Sequence, residues 1–156
     1  RKKAAAGARA SGLWTLADDS GLEVDHLGGA PGVRSARYAG ANQDEAANNA
    51  RLLRELEGVP ESRRGARFVS ALALARPDGI VALEIRGTAR GRMLDAARGS
   101  SGFGYDPLFL FTEEGFAQSG RTFAELDLEE KAAVSHRGRA MDELLARLPD
   151  VLAGAV

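Results

Sequence analysis

The sequence has no cysteine. That excludes disulfides, a thiolate nucleophile and a zinc-thiolate site. Its two histidines, His26 and His136, are too few for a histidine-rich metal centre. No run of about 18 apolar residues occurs, so nothing reads as a membrane span, and no signal peptide is visible. Neither charge sign is in excess: 21 basic and 22 acidic residues leave a net charge of −1. A broad basic face for nucleic acid is therefore not expected. Together these absences fit a cytoplasmic protein with no nucleic-acid or membrane partner.

What is present suits one folded domain spanning residues 1–156. The chain is 44% hydrophobic and 28% charged, ordinary proportions for a globular protein of this size. Residues 2–11 are rich in helix formers and Gly12 sits where a helix C-terminal glycine belongs. Leu13 to Ala17 reads as a short strand entering a turn at Asp18-Asp19-Ser20-Gly21, with a second extended piece up to Asp25. The glycine-rich stretch from Gly28 to Gly40 reads as a long loop. Asn42 and Glu45 have capping-box spacing, which predicts a helix ended by Gly58 and Pro60. Pro77-Asp78-Gly79 lies between two apolar arms and predicts a hairpin, although the alanines of the first arm leave helix open. Gly87 to Asp95 reads as a further strand and Pro107 to Phe111 as another. Asp127 with Glu130 predicts a helix over 128–134, and Ser135 a second one that Pro149 ends.

Three clusters have chemical potential. Asp18 and Asp19 are adjacent carboxylates, a donor type that suits a hard cation such as Mg²⁺ or the activation of a water. Both reach one site only if the strand ends there, because neighbouring strand residues point to opposite faces; a plain turn with an Asp cap is the other reading. Gly102-Phe103-Gly104-Tyr105-Asp106-Pro107 places aromatics between glycines. It reads as a purine-stacking loop or as a tight turn with a core aromatic. Lys131 sits in the first turn of its helix, where the macrodipole disfavours a cation, so a phosphate or carboxylate partner is expected. Arg137 offers a planar donor fork. A solvated charged helix face is the alternative for both.

Three motifs in this order, ADDSGL at 17–22, GGAPGVRSARYAG at 28–40 and GFGYDPLF at 102–109, are followed by EEK and SHRG. With them the chain resembles the noncanonical purine nucleoside triphosphate pyrophosphatases, the inosine triphosphatase or Ham1-like family. The resemblance runs from about Arg1 to Leu148. It implies an α/β fold, an elongated mixed β-sheet flanked by helices, in a homodimer. It implies Mg²⁺-dependent hydrolysis of purine nucleoside triphosphates (ITP, dITP, XTP) to the monophosphate and pyrophosphate, which cleanses the nucleotide pool. Asp19 then corresponds to the catalytic, metal-binding carboxylate and Asp18 supports the same metal. Ser20 lies against the substrate and Lys3 near the phosphates. Phe103, Gly104, Tyr105 and Asp106 shape the base pocket, and Lys131, His136 and Arg137 complete the nucleotide contacts. The family's N-terminal strand and phosphate loop precede the region matching Arg1 and are missing from this chain. An inactive nucleotide-binding fragment, or another metal-dependent phosphohydrolase, are the competing expectations.

Overall fold

A computed structural model describes residues 1–154. Among the described residues four α-helices and four strands follow one another in the order α1, β1, α2, β2, β3, β4, α3, α4, with short 3-10 turns between some of them. They are α1 (Lys2–Ser11), β1 (Thr15–Val24), α2 (Glu45–Glu55), β2 (Gly65–Ala75), β3 (Val81–Met93), β4 (Phe109–Phe111), α3 (Leu128–Val134) and α4 (His136–Ala153). The expected helix-flanked sheet is present. Its order is β1-β2-β3-β4, and every ladder among the described residues is antiparallel.

The sheet is built by alternation. On one face Leu72, Leu74, Leu83 and Ile85 pack against Ala140 and Leu144 of α4. Further along the same face Leu22, Val24 and Phe68 meet Phe109, Phe111 and Phe123 in the main core. The other face carries Ala73 and Ala75, against which α1 lays Ala4 and Ala8. The alanines that left the first hairpin arm open to a helical reading are thus the small residues that let α1 approach closely.

Four sequence expectations change. The Asp-Asp-Ser-Gly stretch is not a turn: β1 runs unbroken through it, with Asp18 paired to Leu72 and Asp19 to Ala71. Continuous pairing with β2 outweighs the local turn preference of Asp, Ser and Gly. The α2 cap is Asp44, which accepts from Ala47 N at 3.0 Å, not Asn42. Gln43 takes a positive φ of 53° and turns the chain between the two. The second hairpin arm and the strand expected after it are one strand, β3. Pro149 does not end α4 but lies inside it; proline costs a helix one ladder bond, and here it does so near the end.

Other helix signals hold. Gly12 caps α1 with φ 69°. Asp127 and Glu130 form the capping box of α3, and Ser135 accepts from Gly138 N at 3.1 Å to cap α4. The α3–α4 junction is pressed tightly into place. A Cβ on Gly87 of β3 would lie 1.9 Å from the His136 carbonyl oxygen, and one on Gly138 would lie 1.7 Å from that of Ala132. Only glycine allows this approach, and it seats His136 and Arg137 directly on the sheet.

Candidate nucleotide site

A cavity of about 190 Å³ opens beside the outer edge of β1, at the face that carries α4. Its lining includes Ser20, Phe68, Phe103, Gly104, His136 and Arg137. The volume suits a flat ring system rather than a whole nucleoside triphosphate, since sites for drug-sized ligands start near roughly 300 Å³.

Arg137 is held from the sheet side. Its Nε donates to Asp18 Oδ2 at 3.0 Å and to Ser20 Oγ at 3.2 Å. The hydroxyls of Ser20 and Ser70 donate to the other Asp18 oxygen at 2.8 and 2.9 Å. Burial alone would raise the Asp18 pKa, but these hydroxyls and the guanidinium together hold it below the usual carboxylate range. The guanidinium also lies over the Phe103 ring, 5.3 Å from its centroid. Lys131 Nζ also lies over that ring, 4.6 Å from its centroid, and Phe103 is 54% exposed, the most exposed aromatic of the cavity lining.

The remainder of that loop is fixed internally. Asp106 is buried and accepts from Phe103 N at 2.8 Å and from Lys131 Nζ at 2.5 Å. Lys131 therefore has the carboxylate partner its helix position demanded; it is turned inward rather than into the cavity. Tyr105 is buried too and donates to the Ser35 carbonyl at 2.8 Å, with burial pushing its phenol well above the ordinary value. From α2, Asn49 donates to the Gly104 carbonyl at 2.9 Å. His136 stacks on Phe68 with centroids 4.8 Å apart. Burial lowers its pKa to about 4, with Arg137 adding to the effect, so the imidazole is neutral near pH 7.

Asp19 is elsewhere. Strand alternation turns it to the face of α1, where Lys3 Nζ lies 3.2 Å from Oδ1 and both side chains are largely exposed. The expectation that Asp18 and Asp19 share a metal is corrected by the unbroken strand: the two carboxylates point to opposite faces. Asp18 also takes three side-chain donors, one of them a cation. Asp19 is the more exposed of the two and, among the described residues, pairs only with Lys3. Among the described residues no group of three or more acidic or histidine side chains is assembled for a metal. An Mg²⁺ ion still fits at Asp19, because such ions are commonly held by one or two carboxylates plus waters and substrate phosphates.

Sequence reasoning did not single out Phe68 and Ser70. The signal lay in β2, where Phe68, Ser70 and Leu72 share one face and Ser70 is fully buried. A hydroxyl on an otherwise apolar strand face requires a polar partner, and that partner is Asp18.

Comparison with known proteins gives a consistent result. The profile of the Ham1 family matches residues 1–147. A dITP/XTP pyrophosphatase of Corynebacterium diphtheriae is 52% identical over 143 residues, covering 92% of this chain and 69% of that protein. One of Syntrophobacter fumaroxidans is 54% identical over 151 residues, covering 97% and 62%. The chain thus spans about two thirds of the length of these relatives. The structure of the Staphylococcus aureus Ham1 protein superposes with a TM-score of 0.85 at 39% identity, over 95% of this chain and 73% of that one. That of a HAM1 protein from Coxiella burnetii gives 0.86 at 40%, over 96% and 74%.

Proposed function

Because the chain belongs to the Ham1 family, we propose that it hydrolyses ITP, dITP and XTP to the monophosphate and pyrophosphate and so removes deaminated purines from the nucleotide pool. The observation that carries this reading is the arrangement around β1. The cavity lined by Arg137 and Phe103, read as the base pocket, lies on one face of the edge strand β1, and the Asp19–Lys3 pair lies on the other. A nucleotide laid across that edge reaches both.

In this reading the purine enters the cavity and stacks on Phe103. The terminal amino groups of Arg137, which hold no hydrogen bond among the described residues, donate to the 6-keto oxygen. Adenine presents an amino group at that position, leaves those donors unpaired and is rejected. Neutral His136 packs against Phe68 without adding charge to the base site. Lys3 offsets triphosphate charge on the far side. Asp19 orients the attacking water and accepts its proton as oxygen bonds to the α-phosphorus. The bond from the α-phosphorus to the bridging oxygen then breaks and pyrophosphate leaves. Mg²⁺ held at Asp19 would supply charge neutralisation on the phosphates.

The family also implies a homodimer acting in the cytoplasm. Among the described residues no helix is long and apolar enough to cross a membrane, and light scattering of the purified protein tests the dimer. The chemistry is tested by product analysis with ITP as substrate. IMP and pyrophosphate are expected; IDP and orthophosphate would show a different phosphohydrolase, and ITP binding without turnover an inactive fragment.

A further inference from the structure

We propose that Asp18 is a positioning residue for base selection, acting through Arg137. The inference rests on the reading above that Arg137 meets the purine carbonyl, and it assigns the first carboxylate of the Asp-Asp pair to recognition rather than to the metal.

The geometry separates the two carboxylates by task. Asp18 faces the base cavity side of the sheet and Asp19 the side of α1. Arg137 has one anchoring nitrogen, Nε, and it is held by Asp18 Oδ2 at 3.0 Å. That leaves the two terminal amino groups of the fork for a ligand in a cavity that Arg137 itself lines. The carboxylate cannot rotate freely, because its other oxygen takes hydroxyls from Ser20 and from the fully buried Ser70. Arg137 is only half-buried, and an unanchored arginine samples many rotamers. Fixing one end before the base arrives removes part of that entropy cost from binding.

The same contacts argue against a metal at Asp18. Mg²⁺ requires oxygen ligands at about 2.0–2.1 Å, and Asp18 Oδ2 already faces a guanidinium. A divalent cation there would have to displace the guanidinium and compete with two hydroxyls, whereas Asp19 has one exposed lysine as partner.

The test is calorimetric binding of IMP and AMP to the wild-type protein, Asp18→Asn, Arg137→Ala and the double variant. The wild type is expected to prefer IMP. Asp18→Asn places an amide where Arg137 needs an anion and is expected to weaken IMP binding about 10-fold while leaving AMP nearly unchanged. In the Arg137→Ala background the same substitution is expected to add little, because the two residues act as one unit. In steady state with ITP, Asp18→Asn should raise KM with kcat largely kept, at an unchanged Mg²⁺ concentration for half-maximal rate. Ser70→Ala, which keeps the ion pair but loosens the carboxylate, reads in the same direction at about 3-fold should Asp18→Asn fail to fold. Intact IMP preference in Asp18→Asn, full additivity in the double variant, or a raised Mg²⁺ requirement each overturns the proposal. A wild type that binds IMP and AMP equally removes the functional reading itself, and this assignment with it.

Discussion

Asp19 has Lys3 as its one ion-pair partner among the described residues, and that makes its role separable. Replacing it with asparagine changes charge and not shape, so Asp19→Asn is expected to lower kcat for ITP by at least about 100-fold while the denaturant midpoint stays within error. Rates near wild type would remove it from the mechanism. His136 makes a prediction about pH. Its folded pKa of about 4 lies below the ordinary 6.5, so the unfolded chain takes up the proton first on acidification. The stability contributed by keeping it neutral is present above about pH 6.5 and is lost as pH falls from there through 4. Urea midpoints measured between pH 7 and 4 should decline by an amount equivalent to a few kcal/mol, and an NMR titration should find His136 still neutral at pH 5.5. Much at this scale was legible from residue chemistry. The mispositioned cation Lys131 signalled a partner, and Asp106 is that partner. The separation of Asp18 from Asp19 was not legible, because it depends on whether the strand continues, and that is decided by β2 fifty residues away.

At the scale of elements, local signals were readable and non-local ones were not. The capping box of α3, the Ser135 cap and the glycine cap of α1 lie within a few residues of the ends they specify. Their physics is contained in that short window. The full length of β1 and β3 is set instead by cross-strand partners, so turn-prone residues such as Ser20 and Gly21 sit in regular ladder positions opposite Ser70 and Val69. The Asn42 reading failed for a related reason: its spacing to Glu45 was correct, but the left-handed Gln43 moved the cap to Asp44. The α3–α4 junction yields a prediction of its own. A methyl group on Gly138 would strike the Ala132 carbonyl oxygen, so Gly138→Ala must push α4 off its seat. It is expected to cost about 1–3 kcal/mol, read as a lower urea midpoint at unchanged m. Because Arg137 moves with the helix, the KM for ITP should rise in the same variant. An unchanged midpoint would show that the junction yields more easily than the contact implies.

Across the whole molecule, the sheet acts as a partition. One face carries α4 and the cavity proposed for the base, the other carries α1 and the Asp19–Lys3 pair, and β1 is the edge strand between them. The helix-flanked sheet was visible in the sequence motifs, and so were several residues that line the cavity, among them Ser20, Phe103, Gly104, His136 and Arg137; the division of Asp18 and Asp19 between two faces emerges only from the strand register. In the proposed function this arrangement keeps purine selection and phosphoryl chemistry physically distinct, and selection is what distinguishes a pool-cleansing enzyme from a general nucleotidase. The most direct test is therefore the initial rate of pyrophosphate release, with ITP, XTP, dITP, GTP and ATP compared at equal concentration below KM in the presence of Mg²⁺. The account predicts that kcat/KM for ITP exceeds that for ATP by at least about 100-fold, because adenine leaves the Arg137 donors unpaired. Equal rates on all five would contradict it.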